Sequence, residues 1–120
     1  MSGLPHDHGP HSRHTFENMP NNEAFLTISD LFKQLSDPTR IRIFWLLCHC
    51  QECVMNLSAL MEMSSPAVSH HLRQLRTAGL ITSRREGKEV YYQAADSQQT
   101  KLLHDMIKQM EHLTCPEHCE

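Results

Sequence analysis

The 120-residue chain has no long hydrophobic run and is poor in glycine and aromatic residues, with only four glycines and 6% aromatics. No apolar segment approaches the roughly 20 residues that a membrane-spanning helix needs. The first residues, MSGLPHDHGPHSRH, lack the apolar stretch of a secretion signal. These absences predict a single cytoplasmic domain without a membrane partner.

An excess of basic charge is also absent, because the formal net charge is −3. The charge is unevenly distributed, however. Residues 64–91 hold only two acidic side chains, Glu86 and Glu89, against five basic ones: Arg73, Arg76, Arg84, Arg85 and Lys88. A local basic face on an acidic protein is able to hold a phosphate backbone.

Catalytic patterns are missing as well. No nucleophile–base spacing, phosphate loop or carboxylate pair stands out, so the sequence argues against an enzyme. The chain does have ten histidines and five cysteines. In a reducing compartment, an odd number of cysteines favours metal or redox chemistry over structural disulfides.

Three segments differ in composition. Residues 1–22 contain His6, His8, His11 and His14 with little apolar periodicity, which predicts a flexible His-rich tail able to bind zinc or nickel weakly. Residues 23–113 have the apolar periodicity of one folded domain. Residues 114–120 form a second tail that contains Cys115, His118 and Cys119.

Helical spacing dominates the central segment. Apolar residues from Phe25 to Leu35 predict a first helix with a continuous apolar stripe. Asp37-Pro38 is a capping signal for a second helix that runs to about Cys48, with Ile41, Phe44, Trp45 and Cys48 on one stripe. Asn56 is a plausible cap for a short third helix, and Ser64-Ser65-Pro66 begins a fourth that ends at Gly79.

A β-hairpin and a final helix complete the pattern. Two β-prone runs, 80–85 and 89–93, flank the turn signal Glu86-Gly87-Lys88. Residues 96–113 then have the spacing of a last helix with an apolar side. Two short helices followed by a hairpin are typical of a winged helix-turn-helix.

The fourth helix separates an apolar side from a polar side. Val68, Leu72 and Leu75 share one stripe, which we expect to dock on the third helix. The opposite side carries donors and no large apolar group: Ser69, His70, Arg73, Gln74, Arg76 and Thr77. Such a helix fits the major groove, and Arg84, Arg85 and Lys88 of the hairpin would lie along phosphates or the minor groove. The sequence therefore predicts binding to double-stranded DNA.

The segments LSDPTRIRIFWLL, SSPAVSHHLRQLRTAGLI and RREGKEVYY resemble the ArsR/SmtB family of repressors over roughly residues 24–113. The resemblance implies a mainly α fold with a small β-hairpin, in the order α-α-α-α-β-β-α, and a homodimer built from the first and last helices. It also implies an inducer that weakens DNA binding. It assigns DNA contact to eight positions: Ser65, Ser69, His70, Arg73, Gln74, Arg84, Arg85 and Lys88.

The apolar stripes of the first and last helices independently favour a dimer, since one small core cannot cover both. A two-fold dimer predicts a palindromic operator with its half-sites about one DNA turn apart.

The metal-ligand patterns of the family are incomplete in this chain. In the first pattern, Cys53 matches one of two paired cysteines and Met55 replaces the other. The second pattern lies on the last helix, where this chain offers Asp96, Gln98, Gln109 and His112. Two of those four positions are amides, so the resemblance does not fix the metal.

The chain has other candidate ligands. Cys50 and Cys53 could join Cys115 or Cys119, and His118, in a thiolate-rich site. Thiolates favour zinc, cadmium, lead, copper(I) or an arsenic(III) centre. Cys48 shares the core stripe and also fits a buried small residue. We therefore predict a repressor that releases its operator when such a metal binds.

Two alternatives stay open. Some relatives sense oxidants or persulfides through two cysteines, a role that Cys48 and Cys115 could fill. Other winged helices bind proteins instead of DNA, but their outward helix faces are usually apolar or acidic. Among the remaining histidines, His71 is interpreted as structural and His104 as a surface residue of the last helix.

Overall fold

The computed structural model describes residues 3–114. Within these residues, six helices and three strands follow one another: α1 (His11–Glu17), α2 (Asn22–Gln34), α3 (Pro38–His49), β1 (Glu52–Cys53), α4 (Val54–Met61), α5 (Ser65–Thr77), β2 (Ile81–Glu86), β3 (Glu89–Ala94) and α6 (Gln98–Thr114). The winged-helix order predicted from the sequence is confirmed, with α1 and β1 as additions.

Capping side chains set the starts of the central helices. Asp37 Oδ1 accepts a hydrogen bond from the Arg40 backbone N–H at 3.0 Å, and Pro38 follows in the first turn of α3. Ser64 Oγ accepts from the Ala67 N–H at 3.3 Å at the start of α5. Both caps satisfy amides that have no partner within the helix. Gly79 has a φ of 77° just beyond α5, which confirms the predicted left-handed end.

The core lies where α3, α4, α5 and α6 meet the base of the hairpin. Buried apolar side chains from each of these elements form it: Ile43, Phe44, Leu47, Leu57, Val68, Leu72, Leu75, Leu80, Ile81 and Leu103. The sequence pattern places Trp45 on the inward stripe of α3, but its side chain is 44% exposed. The stripe is rotated from the predicted one, because Ile43 and Leu47 rather than Trp45 pack inward.

The strands form one antiparallel sheet in the order β1-β3-β2. Strand β2 pairs with β3 from Ile81 opposite Ala94 to Glu86 opposite Glu89. Gly87 takes a φ of 62° in the two-residue turn between them. The hairpin therefore ends in a tight turn at the position that the sequence pattern predicts, with Arg85 and Lys88 alternating with Glu86 and Glu89 around it.

Strand β1 changes the predicted start of the third helix. Cys53 pairs with Tyr91, and Cys53 rather than Asn56 is the N-cap of α4. The Glu52 carboxylate accepts hydrogen bonds from the Cys53 N–H at 3.1 Å and from the Asn56 side chain at 2.7 Å. Asn56 therefore supports the start of the helix from inside its first turn.

The N-terminal segment contains structure that the sequence pattern does not predict. Helix α1 lies within residues 1–22, the predicted flexible tail, and it buries none of its residues. Asn21 Oδ1 then accepts from the Ala24 N–H at 2.9 Å and begins α2. The domain limits deduced from composition stay a prediction.

Candidate DNA interface and metal ligands

Helix α5 buries its apolar side and exposes its polar side. Val68, Leu72 and Leu75 are at most 2% exposed, and the helix packs against α3 and α4. The predicted apolar stripe is confirmed. Because the sequence predicts DNA contacts for it, we call α5 the reading helix and its opposite side the reading face; this face consists of Ser65, Ser69, His70, Arg73, Gln74, Arg76 and Thr77. Ser69 and Gln74 are half-buried, and the other five members are exposed. Among the exposed ones, His70, Arg73 and Arg76 have the longest side chains.

The tight turn between α4 and α5 fixes the direction of the reading helix. Ser58 and Ser65 hydroxyls lie 3.2 Å apart, which joins the body of α4 to the first turn of α5. Glu62 ends α4 with a φ of 54°, a left-handed conformation that non-glycine residues rarely adopt. The Met63 N–H then donates to the Ser58 carbonyl at 3.0 Å. The two helices are thereby held as one rigid unit.

The opposite edge of α5 is tied to α3. Arg40 Nε donates to His71 Nδ1 at 3.3 Å, and Arg40 Nη1 donates to the Gln34 carbonyl at 3.0 Å. Burial lowers the pKa of His71, and the neighbouring Arg40 and His70 act in the same direction, while Asp37 opposes them. A neutral His71 that accepts at Nδ1 carries its proton on Nε2. These contacts fit the structural role expected for His71.

The three basic residues of the hairpin are not equivalent. Arg84 forms an ion pair with Glu86, donates twice to Gln51 Oε1 at 3.0 and 2.7 Å, and lies 5.4 Å from the centre of the Tyr91 ring. Arg85 makes a long hydrogen bond to the Gly87 carbonyl, and Lys88 is exposed at the tip. Arg85 and Lys88 are therefore the residues whose charge is most available to a phosphate.

The predicted thiolate site is not assembled within residues 3–114. No three His, Cys, Asp or Glu side chains in that range lie close enough together to hold a metal ion. Cys53 is buried in β1, and the exposed Cys50 thiol donates to the Leu46 carbonyl at 3.4 Å. Cys115, His118 and Cys119 lie outside the described residues.

The other predicted ligands, Cys48, Asp96 and His112, also belong to no group of three potential metal ligands within residues 3–114. Burial raises the pKa of the Cys48 thiol to about 11, so this side chain stays a thiol near neutral pH. Asp96 pairs with Lys101 at 3.4 Å, and His112 is exposed near the end of α6. Cys48 is partly buried against the core, which is closer to the small core residue that the sequence also allows than to an accessible metal ligand.

One pair of histidines has no signal in the sequence pattern. His49 Nε2 and His104 Nε2 lie 3.0 Å apart, between the last residue of α3 and the middle of α6. The pattern does not mark His49, and it predicts His104 only as a surface residue. The two are 55 positions apart, so only tertiary packing brings them together.

The amino-acid sequence is similar to those of known bacterial regulators. The family model described as bacterial regulatory protein, arsR family, matches residues 37–83. The transcriptional repressor SmtB homolog of Synechocystis is 37% identical over 84 residues, which cover 70% of this chain and 64% of that protein. The arsenic resistance transcriptional regulator of Pseudomonas putida is 38% identical over 69% of this chain and 72% of its own length.

A solved structure has the same architecture. The homodimeric winged helix-turn-helix DNA-binding domain from Mycobacterium bovis, described as a possible ArsR-family regulator, superposes with a TM-score of 0.67 at 26% identity, over 80% of this chain and 92% of that one. Within the described part of this chain, every helix is too short or too polar to cross a membrane. The relatives are regulators rather than enzymes. The chain belongs to the ArsR family of bacterial transcriptional regulators, in the ArsR/SmtB group of winged-helix proteins.

Proposed function

We propose that this protein is a homodimeric repressor that binds a palindromic DNA operator through α5 and the β2–β3 hairpin, and that releases the operator when a metal ion binds. The observation that carries the DNA part is the division of α5. Its large apolar side chains are buried, and its exposed side presents donors and positive charge. Arginine and glutamine at such positions can read base edges, and serine can hold phosphates.

The hairpin offers a second set of basic groups, since strand β2 contacts α5 and leads to the exposed Arg85 and Lys88. These two side chains could lie along phosphates of the DNA backbone, although Glu86 and Glu89 are their neighbours in sequence. A protein-binding winged helix would be expected to present an apolar or acidic face here. The polar and basic face of α5 therefore favours DNA over a protein partner.

An uncovered apolar surface supports the dimer. A groove between α2 and α6 is lined mainly by apolar side chains: Ile28, Leu31, Phe32, Leu102, Leu103 and Met106. Phe32 is 53% and Leu102 67% exposed in the isolated chain. A second copy would cover this surface, and the related domain from Mycobacterium bovis is described as homodimeric. Two reading helices related by a two-fold axis would then require a palindromic operator. The proposed place of action is the cytoplasm.

The metal part rests on relatives and on residue chemistry. The related protein from Pseudomonas putida is named for arsenic resistance. This chain contains ten histidines and five cysteines, which suit zinc, cadmium, lead, nickel, copper(I) or arsenic(III). Cys50 and Cys53 with Cys115, His118 or Cys119 stay the proposed thiolate ligands.

Selection from a random duplex library would test the DNA part and identify the operator in the same experiment. We expect an inverted repeat to be enriched, and Arg73→Ala to bind it with about 5- to 150-fold lower affinity, the equivalent of about 1–3 kcal/mol for one base contact. Gln99→Ala, an exposed substitution on α6, is the matched control. Unselective binding by the native protein, or equal binding by Arg73→Ala, would refute the assignment.

Titration of the protein–operator complex would test the metal part. Zinc, cadmium, lead, nickel, copper(I) and arsenite are added in turn while binding is followed by fluorescence anisotropy. At least one ion is expected to weaken binding by about 5- to 150-fold, the usual range of allosteric coupling. A complex that is insensitive to all six would exclude metal-controlled release. The Cys50→Ser, Cys53→Ser double variant shows whether thiolates carry the effect.

A further inference from the structure

His49 and His104 bring two imidazole nitrogens to one point. The Nε2 atoms are 3.0 Å apart, and the rings meet nearly at right angles, with centroids 4.9 Å apart and planes inclined by 68°. In the metal-free protein this contact is a hydrogen bond in which one ring donates and the other accepts. The Nε2 atoms of both rings therefore face the space between α3 and α6.

This separation fits two ligands of one metal ion. With metal–nitrogen bonds of about 2.0–2.1 Å, two imidazoles on neighbouring coordination positions have nitrogens about 3.0–3.4 Å apart. An ion would displace the proton from Nε2 of the donating ring, which would instead carry a proton on Nδ1, and both rings would turn so that their lone pairs converge on the ion. Because the two nitrogens already have a suitable separation, neither helix has to move far. Imidazole pairs suit zinc, nickel, copper and similar transition ions better than magnesium or calcium.

The surroundings of the pair support an open site. The Trp45 ring lies against the His49 ring, with centroids 4.2 Å apart and planes inclined by 39°, and so restricts the rotation of that imidazole. His49 is exposed and His104 is half-buried, so one side of the pair faces solvent. Within residues 3–114 no third His, Cys, Asp or Glu completes the group. Water would occupy the remaining positions.

The histidine pair lies between two helices that lead to the reading helix and to the proposed dimer surface. Helix α3 ends at His49, and near its beginning Arg40 contacts His71 of the reading helix. The partner His104 lies on α6, one of the two helices of the proposed dimer surface, next to the buried Leu103. A metal ion between the histidines would fasten α6 to α3, and α3 is in direct contact with α5.

We propose that His49 and His104 form a two-histidine site for a divalent transition ion such as zinc, and that occupation of this site changes the affinity for DNA. The regulatory half of this proposal rests on the proposed function, whereas the metal site itself does not. The site is distinct from the thiolate ligands deduced from the sequence, because both donors are nitrogens and neither is a cysteine.

Metal binding by the full-length, metal-free protein tests the site without DNA. Zinc is titrated into the native protein, His49→Gln, His104→Gln, and the control Gln99→Ala, after circular dichroism has established that each is folded. Each histidine variant is expected to bind zinc at least about tenfold more weakly, since losing even an outer partner of a ligand costs about 10- to 100-fold. Unchanged zinc affinity in both histidine variants would overturn the proposal.

Two further measurements test the site by spectroscopy, the first of them independently of variant stability. In the native protein, ¹⁵N resonances of the His49 and His104 rings should shift on zinc addition as both Nε2 atoms become ligands, and the absence of any shift would overturn the site. Cobalt(II) is added to the Cys50→Ser, Cys53→Ser double variant, where it should give a visible spectrum without a thiolate charge-transfer band. In that background His49→Gln and His104→Gln should each weaken the cobalt spectrum, and a spectrum that both substitutions leave unchanged would contradict a nitrogen site.

The operator complex separates this proposal from the proposed function. The histidine variants should bind the operator like the native protein when metal-free, but zinc should no longer change that affinity. If zinc still releases DNA from both variants, the two-histidine switch is wrong and the metal-controlled repressor stands. If the native complex ignores every metal, the proposed function fails, and zinc titration alone decides whether the histidine site exists.

Discussion

Arg40 Nε donates a hydrogen bond to His71 Nδ1 across 3.3 Å and so joins the first turn of α3 to the inner edge of the reading helix. The contact requires an imidazole with a free lone pair at Nδ1, which a protonated ring lacks. Because burial and Arg40 both lower the pKa of His71, the folded protein favours the neutral ring. Protonation of His71 at Nδ1 would therefore break this contact between α3 and α5.

The pH prediction follows from the direction of that shift. A histidine whose folded pKa is below its unfolded value of about 6.5 stabilises the protein above that pH and loses this contribution as the pH falls. We expect the melting temperature to fall between pH 7.5 and 5.5, and to fall less in His71→Gln. Equal pH dependence in the two proteins would contradict the assignment. The hydrogen bond from the Arg40 backbone N–H lowers the pKa of Asp37 from its ordinary value of 3.8. Titration of Asp37 therefore affects stability only near and below pH 3.8, outside the range of this experiment.

The Ser64 cap is expected to stabilise the reading helix measurably. Ser64→Ala removes the acceptor for the Ala67 N–H and should lower the free energy of unfolding by about 0.5–2 kcal/mol in urea denaturation. Ser64→Asn supplies another capping oxygen and should recover most of the loss. If alanine and asparagine are equally destabilising, the hydroxyl is not acting as a cap.

Cys48 is expected to react slowly with alkylating reagents. A thiol with a pKa of about 11 is almost wholly protonated at pH 8, and the thiolate is the nucleophile. Timed iodoacetamide labelling followed by peptide mass spectrometry should modify the exposed Cys50 well before Cys48. Rapid labelling of Cys48, or a Cys48–Cys115 bridge after mild tetrasulfide treatment, would instead support the oxidant-sensing alternative.

The β2–β3 hairpin, which is the wing of the fold, should contribute to DNA binding mainly through contacts with phosphates. Arg85→Ala and Lys88→Ala should weaken binding about equally for all DNA sequences, and each should reduce the salt-dependence slope by about 1. Arg84→Ala should change the slope less, because Glu86 and Gln51 already hold its guanidinium. Slopes unchanged in both Arg85→Ala and Lys88→Ala would place the wing away from the duplex.

Local patterns predict the parts of the fold that local forces determine. The caps at Asp37 and Ser64, the left-handed Gly79 and the Val68–Leu75 stripe are all predictable, because each depends on residues within one or two turns of helix. Strand β1 is not, since two residues become a strand only by pairing with β3, far along the chain.

The candidate sites likewise differ in whether local sequence or tertiary packing determines them. The polar side of α5 follows from helical periodicity, so the sequence alone identifies which residues lie on it, whereas their contacts with DNA stay a prediction. The His49–His104 contact depends on how α3 and α6 pack, and no spacing in the sequence marks it. Of the proposed thiolate ligands, Cys115, His118 and Cys119 lie outside the described residues, and within residues 3–114 Cys50 and Cys53 belong to no group of three potential metal ligands.

Base discrimination by Arg73 tests the central claim most directly. Every base pair of the selected operator is replaced in turn, and binding of the native protein, Arg73→Ala and Arg85→Ala is measured at one salt concentration. We predict that Arg73→Ala loses discrimination of about 1–3 kcal/mol at one base pair of each half-site, while Arg85→Ala weakens binding uniformly. If Arg73→Ala retains the full discrimination of the native protein at every position, α5 does not read the operator as described.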